Sequence, residues 1–156
     1  MNIRLAALED ISAIHFLNKD ALHYDYPFKE AEQRLRYLLS SPTNQLFVAE
    51  IEGDVVGYVH AAEYISLYGP RLVNILALAI RSDVQRKGIG KALMEQAEHW
   101  ANATGAAGIR LNSGESRTEA HRFYEHIGFK KIKNQTSFRK MFGDEGQRLS
   151  CADDRK

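Results

Sequence analysis

The segment "LVNILALAI", Leu72 to Ile80, is apolar at nearly every position. A run of this length and composition reads as a strand covered on both faces rather than a half-solvated one. Seven residues, "RSDVQRK", all but Val84 polar or charged, separate it from "GIGKAL". There Ile89, Leu93, Ala97 and Trp100 begin a helical stripe that runs from about Gly88 to Ala103. A buried strand that feeds a glycine turn and then an amphipathic helix requires a sheet with helices packed on it.

The rest of the chain fits that plan. "NIRLAAL" reads as a first strand, and Ile11, Ile14, Leu17 and Leu22 follow at near-helical spacing. "HYDYPF" interrupts with Pro27, and "KEAEQRLRYLLSS" supplies a second helix. "LFVAEIEGDVVGYVHAAEYI" predicts a hairpin turning at "EGD". After the central helix, "TGAAG" is a stop and "IRLNS" a short strand. "SRTE", Ser116 to Glu119, has the form of a capping box for a last helix that ends at Gly128. "FKKIKNQTSFRKMF" predicts two closing strands. The expected order is β-α-α-β-β-β-α-β-α-β-β: a mixed α/β (α+β) fold, about seven strands with helices on both faces. Residues 1–142 form one expected domain, and 143–156 a polar, flexible tail.

Composition narrows the function classes. The formal charge of +1 over 156 residues gives no global pull toward nucleic acid or an anionic membrane. No apolar run reaches membrane-spanning length, and "MNIRLAALED" meets charges too early for a signal peptide. The single cysteine, Cys151, can form neither an internal disulfide nor a cysteine-rich zinc site, so a cytoplasmic protein is expected. The six histidines show no H-E-x-x-H or related spacing, and no metal is expected.

The glycine turn is a candidate anion site. The first turn of a helix carries N–H groups without acceptors and partial positive charge, and glycines let a phosphate approach the backbone. Arg86, Lys87 and Lys91 add full charges. Two nucleotide motifs fail on detail. A P-loop needs Ser or Thr after Gly-Lys and a glycine five residues before that pair's own; here Ala92 and Gln85 occupy those positions. A dinucleotide fingerprint needs a third glycine, where Leu93 stands, and a nearer strand.

Two motifs then become specific. Gln85-Arg86-Lys87-Gly88-Ile89-Gly90 resembles the Q/R-x-x-G-x-G/A acetyl-CoA-binding motif of the GNAT superfamily of N-acetyltransferases, and it follows Leu78-Ala79-Ile80 as the family's L-x-V strand. "AHRFYEHIGF" is similar to its A-x-x-x-Y-x-x-x-G-F signature. The resemblance implies an N-acetyltransferase moving an acetyl group from acetyl-CoA to a primary amine, of a small molecule or a peptide, in a ternary complex. It implies that the N–H groups from Gln85 to Lys91 cradle the pyrophosphate. It also implies that the backbone of Leu78, Ala79 and Ile80 pairs with the pantetheine arm, and that Tyr124 protonates the departing thiolate. Many members dimerise, so a homodimer is compatible with the resemblance.

The departures fall in the chemistry. Arg117 stands where members often have Asn; its guanidinium would either reach a CoA phosphate or lie solvated at the helix start. Asn74 occupies a position where some members carry a glutamate base. An amine of pKa about 10.4 must lose a proton before attack, a cost of roughly 4 to 5 kcal/mol at neutral pH. Asn74 cannot accept it but can hold a water or the substrate. Glu63, His60, His23 and Asp25 are the alternatives, Glu63 being placed near the expected cleft. The aromatics and acid of "HYDYPF" would suit a small cationic amine. Two rival readings are a non-catalytic acyl-CoA-binding regulator, which Asn74 favours, and a dinucleotide-binding enzyme, which Leu93 disfavours.

Overall fold

The computed structural model describes residues 1–143. Cys151 and the expected tail beyond Gly143 lie outside the described residues. The chain forms two compact units, Met1–Leu111 and one that begins at Asn112.

The first unit carries β1 (Asn2–Leu5), α1 (Ile11–Asp20), α2 (Phe28–Leu39), β2 (Asn44–Ile51), β3 (Asp54–Tyr64), β4 (Leu72–Ile80), α3 (Ile89–Ala103) and β5 (Ile109–Leu111). The strands lie in sequence order in one sheet, antiparallel except for the parallel β4–β5 pair. The β2–β3 hairpin turns on Glu52 and Gly53, both at positive φ (51° and 88°), as a two-residue turn between twisted strands requires.

Alternation along the strands sorts side chains to two faces. On one, Leu46, Val48, Tyr58 and Ala79 pack with Ile11, Ile14 and Leu17 of α1 and Leu35 of α2. The helical spacing of the α1 residues predicted this contact. Tyr58 also donates a hydrogen bond to Asn18 Oδ1, pinning α1 to the sheet. The other face bears Phe47, Ala49, Val59, Ala61, Val73 and Ile75, all buried, and α3 packs on β2, β3 and β4 through Leu93, Met94 and Ala97. At the sheet's first edge, Arg4 holds Asp10 through two nitrogens (2.8 and 2.9 Å) and Glu50 through Nε (2.9 Å). Burial pushes the Asp10 carboxyl up, but Arg4 and the Ala7 N–H outweigh it and leave its pKa below the ordinary value.

Two sequence expectations are corrected here. β4 is not covered on both faces along its length: Leu76 is 55% exposed. The register moves from His60↔Ala77 to Ala61↔Ile75, so Leu76 is an extra residue, a bulge that turns its side chain out of the core. The two closing strands also do not form. Residues 130–143 are exposed and carry no strand, so among the described residues the sheet has five strands rather than about seven. Five cations and no acid fall between Lys130 and Lys140, and Ile132, Phe138 and Phe142 stay in solvent, so the segment has no covered apolar face.

In the second unit, α4 spans Thr118–His126. The "SRTE" capping box is not made: the N-cap is Arg117 rather than Ser116, and no side chain caps the helix. Its other end matches expectation. Gly128 (φ 103°) donates to Glu125 O and Phe129 to Tyr124 O, at 3.1 and 2.9 Å, and the Phe129 and Tyr124 rings meet edge-on at 5.8 Å. That is a Schellman stop with its apolar contact.

Gly57 sets how closely β3, β4 and α3 approach. A Cβ there would lie 2.9 Å from Ile80 Cδ1, 3.0 Å from Ala79 O and 3.3 Å from Leu93 Cδ1. Gly57→Ala is expected to lower unfolding free energy by about 1–3 kcal/mol, measured by urea denaturation. A variant as stable as the parent would show that this approach is not tight.

Candidate functional site

The site starts where β4 loses a neighbour. On one side β4 pairs with β3 along its whole length, from Tyr64↔Leu72 to Gly57↔Ile80. On the other it pairs with β5 only at Val73↔Ile109, Asn74↔Arg110 and Ile75↔Leu111. From Leu76 to Ile80 that side has no strand partner among the described residues. A strand edge of this kind offers N–H and C=O groups to any extended ligand. Leu78, Ala79 and Ile80 lie on this stretch, with Ala79 buried in the core under α1 and Leu78 and Ile80 partly buried.

Beyond Ile80 the chain is held at two points. Arg81 N–H donates to Val56 O (2.8 Å), while Ser82 gives its N–H and hydroxyl to Asp20 at the end of α1 (2.8 and 3.0 Å). Arg81 and Asp83 form a two-bond ion pair (2.6 and 3.1 Å), which raises the guanidinium pKa and lowers that of the carboxyl. Asp83 is exposed and Arg81 only half-buried, so the pair orders the loop more than it stabilises the fold.

The turn itself has unusual backbone. Arg86 is left-handed (φ 64°) and Gly88, the residue capping α3, is left-handed too (φ 80°). Residues 85–88 are exposed, whereas Ile89 is 1% exposed and anchors the helix start. No side chain caps α3, and its first intrahelical bond of this turn runs from Ala92 N–H to Gly88 O. The N–H groups of Ile89, Gly90 and Lys91 precede it and have no intrahelical acceptor. Lys87 and Lys91 stand beside them, Lys91 in a loose pair with Glu95 (3.7 Å). Gln85 folds back toward Ile80 O (3.4 Å). The turn thus places helix N–H groups that lack intrahelical acceptors, with two lysines nearby, at the end of the strand edge, an arrangement that can accept an anion.

A polar patch occupies the α1/α2 face where β4 and β5 are still paired. Arg110 donates to Asn74 Oδ1 (2.7 Å), and its guanidinium stacks 4.3 Å above the Tyr64 ring. His60, on the same face, lies 2.8 Å from Asn44 Oδ1. Asn44 gives its amide N–H to Ser41 Oγ (3.0 Å), so its oxygen faces the imidazole, which is the donor through Nε2. Burial lowers the His60 pKa to about 4.

Glu63 is elsewhere. It alternates with Ala62 and Tyr64, so it points to the α3 side. There it is ion-paired with Arg71, which also donates to Thr104 O at the end of α3 (2.7 Å). The structure therefore does not bring Glu63 and Asn74 together. His23 (φ 61°) and Asp25 are exposed in the α1–α2 connection, where His15 Nε2 is 2.8 Å from Tyr26 O. In the second unit, burial raises the Tyr124 pKa, with Arg117 opposing, and Arg117 itself is exposed. Arg110 and Arg71 were not anticipated. Arg110 sits between two apolar residues in "IRL", a charge that a core strand would not carry without a partner. Among the described residues no cluster of His, Cys, Asp and Glu could hold a metal ion, and no helix is long and apolar enough to cross a membrane.

Comparison with known proteins bears on this arrangement. Residues 8–129 match the model of the acetyltransferase (GNAT) family. An N-alpha-acetyltransferase from Sulfurisphaera tokodaii is 29% identical over 139 residues, covering 84% of this chain and 81% of that protein. N-acetylaspartate synthetase from Homo sapiens is 30% identical over 112 residues, 72% of this chain but only 34% of its own length. The solved structure of an aminoglycoside acetyltransferase, AAC(6')-Iy, with a CoA-linked bisubstrate analogue superposes with a TM-score of 0.80 at 16% identity, covering 90% of this chain and 98% of that one.

The His60 environment has a measurable consequence. Its folded pKa lies below the unfolded value of about 6.5, so the unfolded chain binds the proton first as pH falls. Stability present above pH about 6.5 should decline on acidification until pH reaches about 4, where the loss levels off. Denaturation midpoints across that window should show the slope, and His60→Gln should flatten it. An imidazole titrating near 6.5 by NMR would contradict it.

Proposed function

The chain belongs to the acetyltransferase (GNAT) family, and from that premise we propose that it is an N-acetyltransferase carrying an acetyl group from acetyl-CoA to a primary α-amine by direct transfer. The observation that carries the cofactor half is the open β4 edge running into the left-handed glycine turn. In this reading the residues 1–142 act as one domain, and the protein works in the cytoplasm. The α-amine is inferred from the relatives named for N-alpha acetylation and for N-acetylaspartate.

The residue roles follow from chemistry. The pantetheine amides pair with the backbone of Leu78, Ala79 and Ile80, and the pyrophosphate lies on the N–H groups of Gln85 to Lys91. Lys87, Lys91 and Arg86 supply charge, and Arg117 reaches a CoA phosphate. The amine nitrogen attacks the thioester carbon, the C–N bond forms and the C–S bond breaks. Tyr124 gives its phenolic proton to the leaving thiolate. Its raised pKa keeps it protonated at neutral pH, the form a general acid needs. The amine's own proton passes to solvent through water held by Asn74 or His60, because Glu63 is engaged by Arg71. Most of the acceleration comes from holding amine and thioester together.

Release of free CoA thiol with a panel of amines tests the reading. Tyr124→Phe should lower kcat by roughly 10- to 100-fold while the Kd for acetyl-CoA stays within about twofold. Unchanged kcat would remove Tyr124 from the chemistry. Acetyl-CoA binding without turnover of any amine would favour the rival reading of an acyl-CoA-binding regulator.

A further inference from the structure

The proton that the amine must lose has an oriented receiver on the sheet, the imidazole of His60. Its Nε2 lies 2.8 Å from Asn44 Oδ1, and the Asn44 NH2 group is fixed in turn on Ser41 Oγ at 3.0 Å. The Asn44 oxygen therefore faces the ring, and Nε2 carries the hydrogen. A neutral imidazole has one such hydrogen, so Nδ1 keeps its lone pair. Among the described residues the ring makes no hydrogen bond other than the one to Asn44. The ring is partly buried, and burial keeps it neutral above pH about 4. An imidazole whose tautomer is set by a partner on its far nitrogen is arranged like the oriented base of a catalytic triad.

Its register puts it at the strand split. His60 pairs with Ala77, and the next pair, Ala61 with Ile75, skips Leu76. The β4–β5 ladder ends at Ile75, so Ala77 lies on the stretch of β4 that has no strand partner on its β5 side among the described residues. Paired residues share a face, so the β4 residue beside His60 on the α1/α2 face is Ala77, a methyl group. A ligand lying on the β4 edge as an extra strand is two strand spacings, about 10 Å, from β3. The imidazole, one hydrogen bond and a small amine bridge that gap over Ala77.

The other polar groups nearby offer no equivalent atom. Asn74 Oδ1 accepts from Arg110 at 2.7 Å, the Asn74 NH2 group only donates, and an amide is not a base at neutral pH. Glu63 is on the opposite face in its pair with Arg71.

We propose that His60 Nδ1 takes the proton of the attacking amine, with Asn44 as the residue that positions the ring. This rests on the acetyltransferase reading above and narrows the proton's route from a held water to one atom. The neutral amine attacks the thioester carbon and the C–N bond forms. The nitrogen is then positively charged and strongly acidic, and its proton passes to His60 Nδ1 as the C–S bond breaks. The departing thiolate takes the Tyr124 proton. His60 then gives its proton to water and Tyr124 regains one from water, so both groups end as they began. A weakly basic ring does not strip a free ammonium of pKa about 10.4, but an α-amine of pKa about 8 is roughly one-tenth neutral at pH 7.

The assay is release of CoA thiol from acetyl-CoA with the best α-amine of a panel of amino acids and short peptides. His60→Gln should lower kcat by roughly 100-fold, with the Kd for acetyl-CoA and the KM for the amine within about twofold of the parent. In His60→Ala, added imidazole should restore kcat in proportion to its concentration, a response that a packing role would not give. Asn44→Leu should lower kcat by roughly 3- to 10-fold, whereas Asn44→Asp, which still accepts from Nε2, should keep it. An unchanged kcat in His60→Gln overturns the proposal, and so does a loss in His60→Ala that imidazole does not repair. In either case the parent still turns over, and the acetyltransferase reading stands. A parent that releases no thiol with any amine removes both.

Discussion

The functional architecture depends on an incomplete strand pairing. β4 is hydrogen-bonded along its full length to β3 but for only three residues to β5, and the ladder stops at Ile75↔Leu111. A central strand normally has both edges satisfied, because unpaired buried backbone groups are costly. Among the described residues, no strand pairs with that edge of β4 from Leu76 to Ile80. The bulge at Leu76 falls at the same point, where β4 changes from a strand with two neighbours to a strand with one.

The surroundings of that edge keep it fixed. α1 is pinned by the Tyr58–Asn18 bond, and its last residue, Asp20, holds Ser82 at the start of the loop. α3 is set by Leu93 closing over Gly57 and by Ile89 buried at its first turn. The anion cradle is therefore built from backbone whose position is determined by packing on both faces of the sheet. Its lysines are carried on exposed side chains, whereas its N–H groups are fixed by the backbone. This division suits a ligand recognised by the shape of its backbone contacts as much as by its charge.

Much of this was legible in the sequence, for physical reasons. The buried strand, the glycine turn and the amphipathic helix each have a local signature, and Gly88 and Gly128 adopt the left-handed conformations their positions imply. The family match over residues 8–129 agrees with the two motifs. What was not legible depended on pairing between distant segments. Glu63 looked well placed by its number, but strand alternation sends it to the α3 face, and Arg71 is the partner that decides its role. Arg110 was overlooked because its significance is its register opposite Asn74, which no local pattern encodes. The closing strands were expected in residues 129–142, and a local segment alone cannot specify a partner edge. The capping box likewise matched in letters, while the N-cap is Arg117 rather than Ser116.

The central claim is that the open β4 edge and the glycine turn together receive acetyl-CoA. Amide hydrogen exchange with and without acetyl-CoA tests it most directly, residue by residue. Saturating acetyl-CoA should slow exchange in the Leu78–Ile80 stretch and in the 88–91 turn by at least about tenfold, with β1 and β2 unchanged. Equal exchange rates in both segments, at a concentration where acetyl-CoA is shown to bind, would contradict it.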